Sequence, residues 1–225
     1  MRLTFLGHAA VELEIGQYEV LIDPFLSGNP AASTTSETLA PSHVLLTHGH
    51  PDHVGDTVAL AEKHGSVVIA AVEIARWLEN QGVAGSIGIN LGGSTPTAFG
   101  RVSLHPAWHS NSLPDGSYGG MPAGVLVEAE GKRLYHAGDT ALFSDLALVG
   151  RKGLDLALVP IGDHVTMGPD DALEAVKLLS PRIVVPVHYD TFPQIHQDAD
   201  AFRARVEDET DARCRVLAPG DVVDL

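Results

Sequence analysis

Near the N-terminus the apolar positions fall in short runs. Arg2–Leu6 is mostly apolar, Val11–Ile15 alternates apolar residues with Glu, and Tyr18–Ile22 follows Gly16, which predicts three strands of an antiparallel meander. Ser27–Ser42 is a long polar loop, and a loop of that length in a compact domain is usually functional or mobile. The rhythm then changes to strand and helix in alternation. His43–Thr47 reads as a buried strand, Val54–His64 as a helix ending before Gly65, Val67–Ala70 as a strand and Val72–Asn80 as a helix. Arg101–His105, Gly124–Ala129, Lys132–His136, Leu154–Val159 and Ile183–Val187 read as further strands. Pro169 suits the first turn of a helix over Pro169–Leu179, with Asp170 and Asp171 at its positive end. A helix near Asp198–Glu209 and a strand over Arg213–Leu217 complete the pattern. A meander followed by strand–helix alternation, with no linker and no fixed-period repeat, predicts one layered α/β domain over residues 1–225.

Composition narrows the function. Lys and Arg number 14 against 29 Asp and Glu, a net charge of −15. Such a surface repels phosphate backbones and anionic membranes, so no nucleic-acid partner is expected. No apolar stretch is long enough for a membrane span, and His8, Glu12 and Glu14 break up the N-terminal segment, so it does not read as a signal peptide. A cytoplasmic protein is the default expectation, and a homo-oligomer is left open. The lone cysteine, Cys214, rules out an internal disulfide and a cysteine-cluster metal site, and reads as a small apolar packer. Twelve histidines, nearly as many as Lys and Arg together, direct attention to metal binding.

Thr47-His48-Gly49-His50-Pro51-Asp52-His53 lies between a predicted strand and a predicted helix. His48 and His50 are two apart, so an extended segment points both to one side, while Asp52 and His53 fall where the chain turns and can aim at a second point. Asp139, His188 and His109 each follow a predicted strand, and α/β folds gather ligands where strand ends meet. Together these are seven candidate ligands: His48, His50, Asp52, His53, His109, Asp139 and His188. Imidazole and carboxylate suit zinc, manganese, iron or nickel, and the absence of thiolates argues against copper(I) and iron–sulfur sites.

The run His48-x-His50-x-Asp52-His53 with a distant His, Asp and His resembles the metallo-β-lactamase superfamily. Leu6–Ala9, Leu21–Pro24, Thr47–His53, His136–Thr140, Pro160–Ala172 and Val187–Pro193 resemble a branch of small metal-dependent hydrolases related to L-ascorbate-6-phosphate lactonase. The resemblance implies a four-layer αβ/βα sandwich with a dinuclear site at one edge. It implies that His48, His50 and His109 hold a first metal, that Asp52, His53 and His188 hold a second, and that Asp139 bridges them. The expected cofactor is thus two divalent ions, zinc first, with manganese, iron or nickel as alternatives.

The implied activity is hydrolysis. A water shared by the two ions, its pKa lowered from about 15.7 toward roughly 7, attacks an ester, a lactone or a similar small-molecule bond. Asp52 is expected to handle the proton as well. His8 is the second catalytic candidate, either touching substrate or holding a strand. A phosphodiesterase on the same site is the first alternative, although no Lys or Arg sits inside a ligand motif to clamp a phosphate tail. A diiron redox protein and a non-catalytic metal-binding protein are further alternatives, the former disfavoured because no second domain is visible for a flavin. Asp23 is expected to brace the ligand loop from behind. His105 competes with His109, His136 reads as core or as a brace, and His164 and Met167 either line the pocket or belong to a loop without substrate contact. His43, His64 and His196 read as solvated or locally bonded.

Overall fold

The computed structural model describes all 225 residues. The first half of the chain contributes strands β1 (Arg2–Gly7), β2 (Ala10–Ile15), β3 (Tyr18–Ile22), β4 (His43–Leu45), β5 (Val67–Ala71) and β6 (Ser86–Ile89), with helices α1 (Pro51–Val54), α2 (Thr57–His64) and α3 (Val72–Asn80). The second half contributes β7 (Ser94–Thr97), β8 (Gly100–Pro106), β9 (Ala123–Ala129), β10 (Lys132–His136), β11 (Leu156–Pro160), β12 (Ile183–Val187), β13 (Arg213–Cys214) and β14 (Val222–Asp224), with α4 (Leu146–Gly150), α5 (Pro169–Leu179) and α6 (Ala199–Glu209). Two seven-stranded sheets result, in the orders β14-β1-β2-β3-β4-β5-β6 and β13-β12-β11-β10-β9-β8-β7. In each, antiparallel hairpins give way to parallel strands: β1 to β3 and then β4 to β6, β7 to β10 and then β11 to β13.

Strand periodicity explains the layers. Leu134, Leu156, Leu158, Val185 and Val187 point into the core shared by the two sheets, while their neighbours Tyr135, Ala157, Val159 and Val184 point outward against Leu173, Val176, Leu179 and Phe202 of α5 and α6. On the other sheet, Ile74 and Leu78 of α3 cover β5. The stack is helix, sheet, sheet, helix, the four-layer sandwich that the resemblance implies. No helix is long and apolar enough to cross a membrane.

Several expected elements need correction. The helix expected over Val54–His64 is broken at Gly55 and Asp56. There the Asp56 carboxylate accepts hydrogen bonds from Leu26 N (3.1 Å), Ser27 N (2.7 Å) and the Ser27 hydroxyl (2.6 Å), and Asp56 N donates to Pro24 O (2.9 Å). These tertiary bonds, between residues about thirty positions apart, outweigh local helix propensity. The last strand is shorter than Arg213–Leu217, covering only Arg213 and Cys214, and the chain then crosses to the first sheet and adds β14 beside β1. The four-residue strands β6 and β7 and the one-turn α4 are too short for periodicity to stand out in the sequence.

Candidate metal centre

All seven sequence-named ligands converge on one edge of the sandwich, between the two sheets. They form two sets in which one donor atom per residue lies within 4.8 Å of the others: His48, His50, His109 and Asp139, and His8, Asp52, His53 and His188. Each donor sits just past a strand end, His8 after β1, the His48–His53 run after β4, His109 after β8, Asp139 after β10 and His188 after β12. Asp139 stands between the sets. Its Oδ2 is 3.5 Å from His109 Nε2, 3.9 Å from His48 Nε2 and 3.1 Å from His188 Nε2, and its Oδ1 is 3.3 Å from His53 Nε2.

The protons on the rings follow from their partners. Asp23 is fully buried and accepts from Thr47 N (2.9 Å) and from the Thr47 hydroxyl (2.6 Å), so that hydroxyl has spent its hydrogen. Thr47 Oγ1 must then accept from His48 Nδ1 at 3.0 Å, which leaves a lone pair on His48 Nε2. His53 Nδ1 donates to the same Asp23 at 2.7 Å, which turns Nε2 toward Asp139. Asp23 therefore braces the ligand loop and orients the His48 and His53 rings, the usual service of a carboxylate behind a metal ligand. His53 Nε2, Asp139 Oδ1 and both ring nitrogens of His188 are buried without any hydrogen-bond partner. An unpaired buried polar atom costs about 1–3 kcal/mol, and four in one place are sustained only if something absent from the chain satisfies them. Lone pairs of imidazole and carboxylate converging in this way fit divalent cations.

Charge distribution separates the sets. Burial, then the neighbouring His53, pushes His48 well below its usual pKa; burial also lowers His50 and His109, against the pull of Asp52 and Asp139. Burial acts the same way on His53 and His188, but the adjacent carboxylates outweigh it. Asp139 and Asp23 hold His53 well above the usual range, and Asp139 lifts His188 to about 9. Burial disfavours charge on Asp139 and Asp52, yet His188 and His53 hold Asp139 ionised, and His188 and His8 do the same for Asp52.

Long-range contacts tie the ligand loops to one another. His136 is buried and off the cluster; its Nδ1 accepts from Gly138 N (3.0 Å), so Nε2 donates to Ala9 O (2.9 Å), joining the Asp139 turn to the His8 turn. Gly138 has φ +64°, and a Cβ there would lie 2.8 Å from Thr47 Cβ, so only glycine lets this turn close on the ligand strand. Asn111 Oδ1 accepts from Gly49 N (2.7 Å), and its amide donates to Gly119 O (2.9 Å), which fastens the Ser110–Ala123 segment over the His48–His50 loop. Sequence reading missed Asn111 and Thr191, because their partners lie far away in the chain. His105 bonds Ser103 on β8 and stays outside both sets. Met167 packs in the second core, whereas His164 is exposed at a 260 Å³ cavity that reaches Asp52 and His188. His43 lies beside Ser42 and Phe99, His196 pairs with Asp190 at the surface, and Cys214 is buried.

Residues 18–189 match the model of the beta-lactamase superfamily domain. The chain belongs to this superfamily. It is 53% identical over 225 residues to a UPF0173 metal-dependent hydrolase of Thermus thermophilus, covering 100% of this chain and 99% of the relative. A UPF0173 metal-dependent hydrolase of Deinococcus radiodurans is 45% identical over 228 residues, with both chains covered to 100%. Among solved structures, a metallo hydrolase from the hyperthermophilic archaeon Ignicoccus hospitalis superposes with a TM-score of 0.90 at 37% identity, covering 99% of this chain and 97% of the other. As a superfamily member with these relatives, the protein is a metal-dependent hydrolase.

Proposed function

We propose that this hydrolase cleaves an ester, a lactone or a similar bond in a small, uncharged molecule, using two divalent ions. His48, His50 and His109 would hold one, Asp52, His53 and His188 the other, with Asp139 between them; zinc is the first candidate, and manganese, iron and nickel are the alternatives. Ions so held would lower the pKa of a water and polarise the scissile carbonyl. The chain supplies the rest. Asp52 is the carboxylate of the centre that meets solvent, with its side chain 32% exposed against 3% for Asp139, and it lines the 260 Å³ cavity with His164, Val165, Phe192 and Gln194. That position lets its carboxylate accept the proton of the attacking water and pass it to the leaving group.

The observation that carries the substrate class is the absence of a cation at the mouth. No Lys or Arg lines the cavity, and the charges acting most strongly on the clustered histidines and carboxylates come from one another. The cavity wall therefore offers no bidentate cationic grip of the kind phosphate recognition favours, and its exposed residues Val165 and Phe192 are apolar. The test is turnover of a panel of lactones, carboxylic esters and phosphodiesters by metal-replete protein. Preferential hydrolysis of the lactones or esters is expected. A clear preference for phosphodiesters would overturn the substrate class, and no turnover of any of the three would overturn the proposed reaction.

A further inference from the structure

His8 ends β1, and the sequence leaves it either against substrate or holding a strand. The residue is 1% exposed, and its ring lies 4.0 Å from that of His188 between centroids. Thr191 Oγ1 lies 2.9 Å from His8 Nδ1 and 3.3 Å from Tyr189 O, which fixes the ring from behind. His8 Nε2 faces Asp52 Oδ2 at 3.3 Å. His8, Asp52, His53 and His188 each bring one donor atom to within 4.8 Å of the others. Thr47 holds His48 Nδ1 from behind in the same way, at 3.0 Å.

From this arrangement we infer that His8 is an eighth ligand, donating through Nε2 to the ion that Asp52, His53 and His188 hold. The inference rests on the proposed metal centre and deepens it. Two donors about 2.0–2.1 Å from one ion stand roughly 3.0–3.4 Å apart, depending on the coordination number, and the 3.3 Å between His8 Nε2 and Asp52 Oδ2 falls in that range. The backbone agrees. His8 and His188 both adopt left-handed conformations, φ 60° and 56°, and His188 N donates to His8 O at 2.8 Å. Non-glycine residues in that region are strained and persist where the surroundings over-determine them, commonly at functional sites. With Asp139 reaching across, the second set gathers five donors from the chain: His8, Asp52, His53, His188 and Asp139. The first gathers four: His48, His50, His109 and Asp139. Five exceed the tetrahedral preference of zinc and suit ions that accept five or six ligands, such as manganese, iron or nickel.

The test needs no turnover. Wild-type protein carrying isotope-labelled histidine is loaded with magnetically active cadmium, and scalar coupling between the metal and the ring nitrogens identifies the ligands. Coupling to His8 Nε2 is expected; its absence, with coupling present at His53 and His188, overturns the inference. Cobalt titration of His8→Gln supplies a second reading. Gln fills much of the space but is a poor ligand, so the second ion is expected to bind at least about tenfold more weakly, with an altered cobalt absorption, and the first ion to bind as before. Unchanged affinity and spectrum would also overturn it. If His8→Gln does not fold, the cadmium experiment decides alone. Protein that takes no ion at either set contradicts the metal centre itself, an outcome distinct from a loaded centre without His8.

Discussion

The two donor sets share Asp139 and are otherwise built on different principles. The first is open. His50 and His109 are half-buried, His50 has only the Ser110 hydroxyl (3.4 Å) behind it, and His109 sits on a loop beyond β8. The second is closed around its histidines, and only its carboxylate Asp52 meets solvent. His53 is locked by Asp23, His8 by Thr191, and His188 by its backbone bond to His8, with all three rings buried. Electrostatics follow the same division. Without metal, carboxylates keep protons on His53 and His188, while burial strips them from His48, His50 and His109. The comparison teaches that the second position fixes its histidines through buried partners and opens to the cavity only through Asp52, whereas the first carries two half-buried histidines with few braces.

Removing the residue common to both sets should have the largest effect. Asp139→Ala is expected to lower kcat/KM by about 10³-fold or more, the scale of several kcal/mol of lost transition-state stabilisation, and to weaken both ions in a metal titration. Asp23→Ala should act chiefly through His53 and Thr47, reducing affinity or activity by about 10–100-fold with the second ion affected more. An Asp23 variant that emptied the site beside an Asp139 variant that kept both ions would reverse the assignment.

Proton exchange sharpens the contrast next. An ion entering the second set must displace protons from His53 and His188, so calorimetry near pH 7 in buffers of different ionisation enthalpy should detect protons released with that ion and few with the first. Affinity at the second set should fall as pH is lowered, because protons compete for the same nitrogens. Stability of the metal-free protein has the opposite sign. The folded pKa of His188 is raised to about 9, so its contribution is complete below the unfolded value of about 6.5 and is lost as pH rises through about 9. Thermal melts of metal-free protein should show that loss, and loaded protein should not.

Thr47→Val and Thr191→Val form the smallest test. Each removes a hydroxyl bonded to a histidine ring, and each should cost about tenfold in affinity at its own set with little effect on the other. Equal effects at both sets would erase the distinction between them.

The donor run was legible because its chemistry is local: four donors within six residues, at the end of an apolar strand. Asp139 and His188 were legible because each follows a strand with unambiguous burial. What escaped depends on contacts across the chain. His8 and Thr191 are 183 positions apart, and Asn111 meets Gly49 across 62. The three-residue β14 exists only because β1 offers it an edge, and the break at Gly55 only because the segment after β3 captures Asp56. Periodicity reports which face of an element is buried; it carries nothing about which distant loop closes over that face.

Metal content measured alongside activity tests the central claim most directly. Protein purified without chelator and made metal-replete should contain about two ions per chain by elemental analysis, and hydrolysis should rise as the second ion binds. A reproducible single ion with full activity would contradict the account.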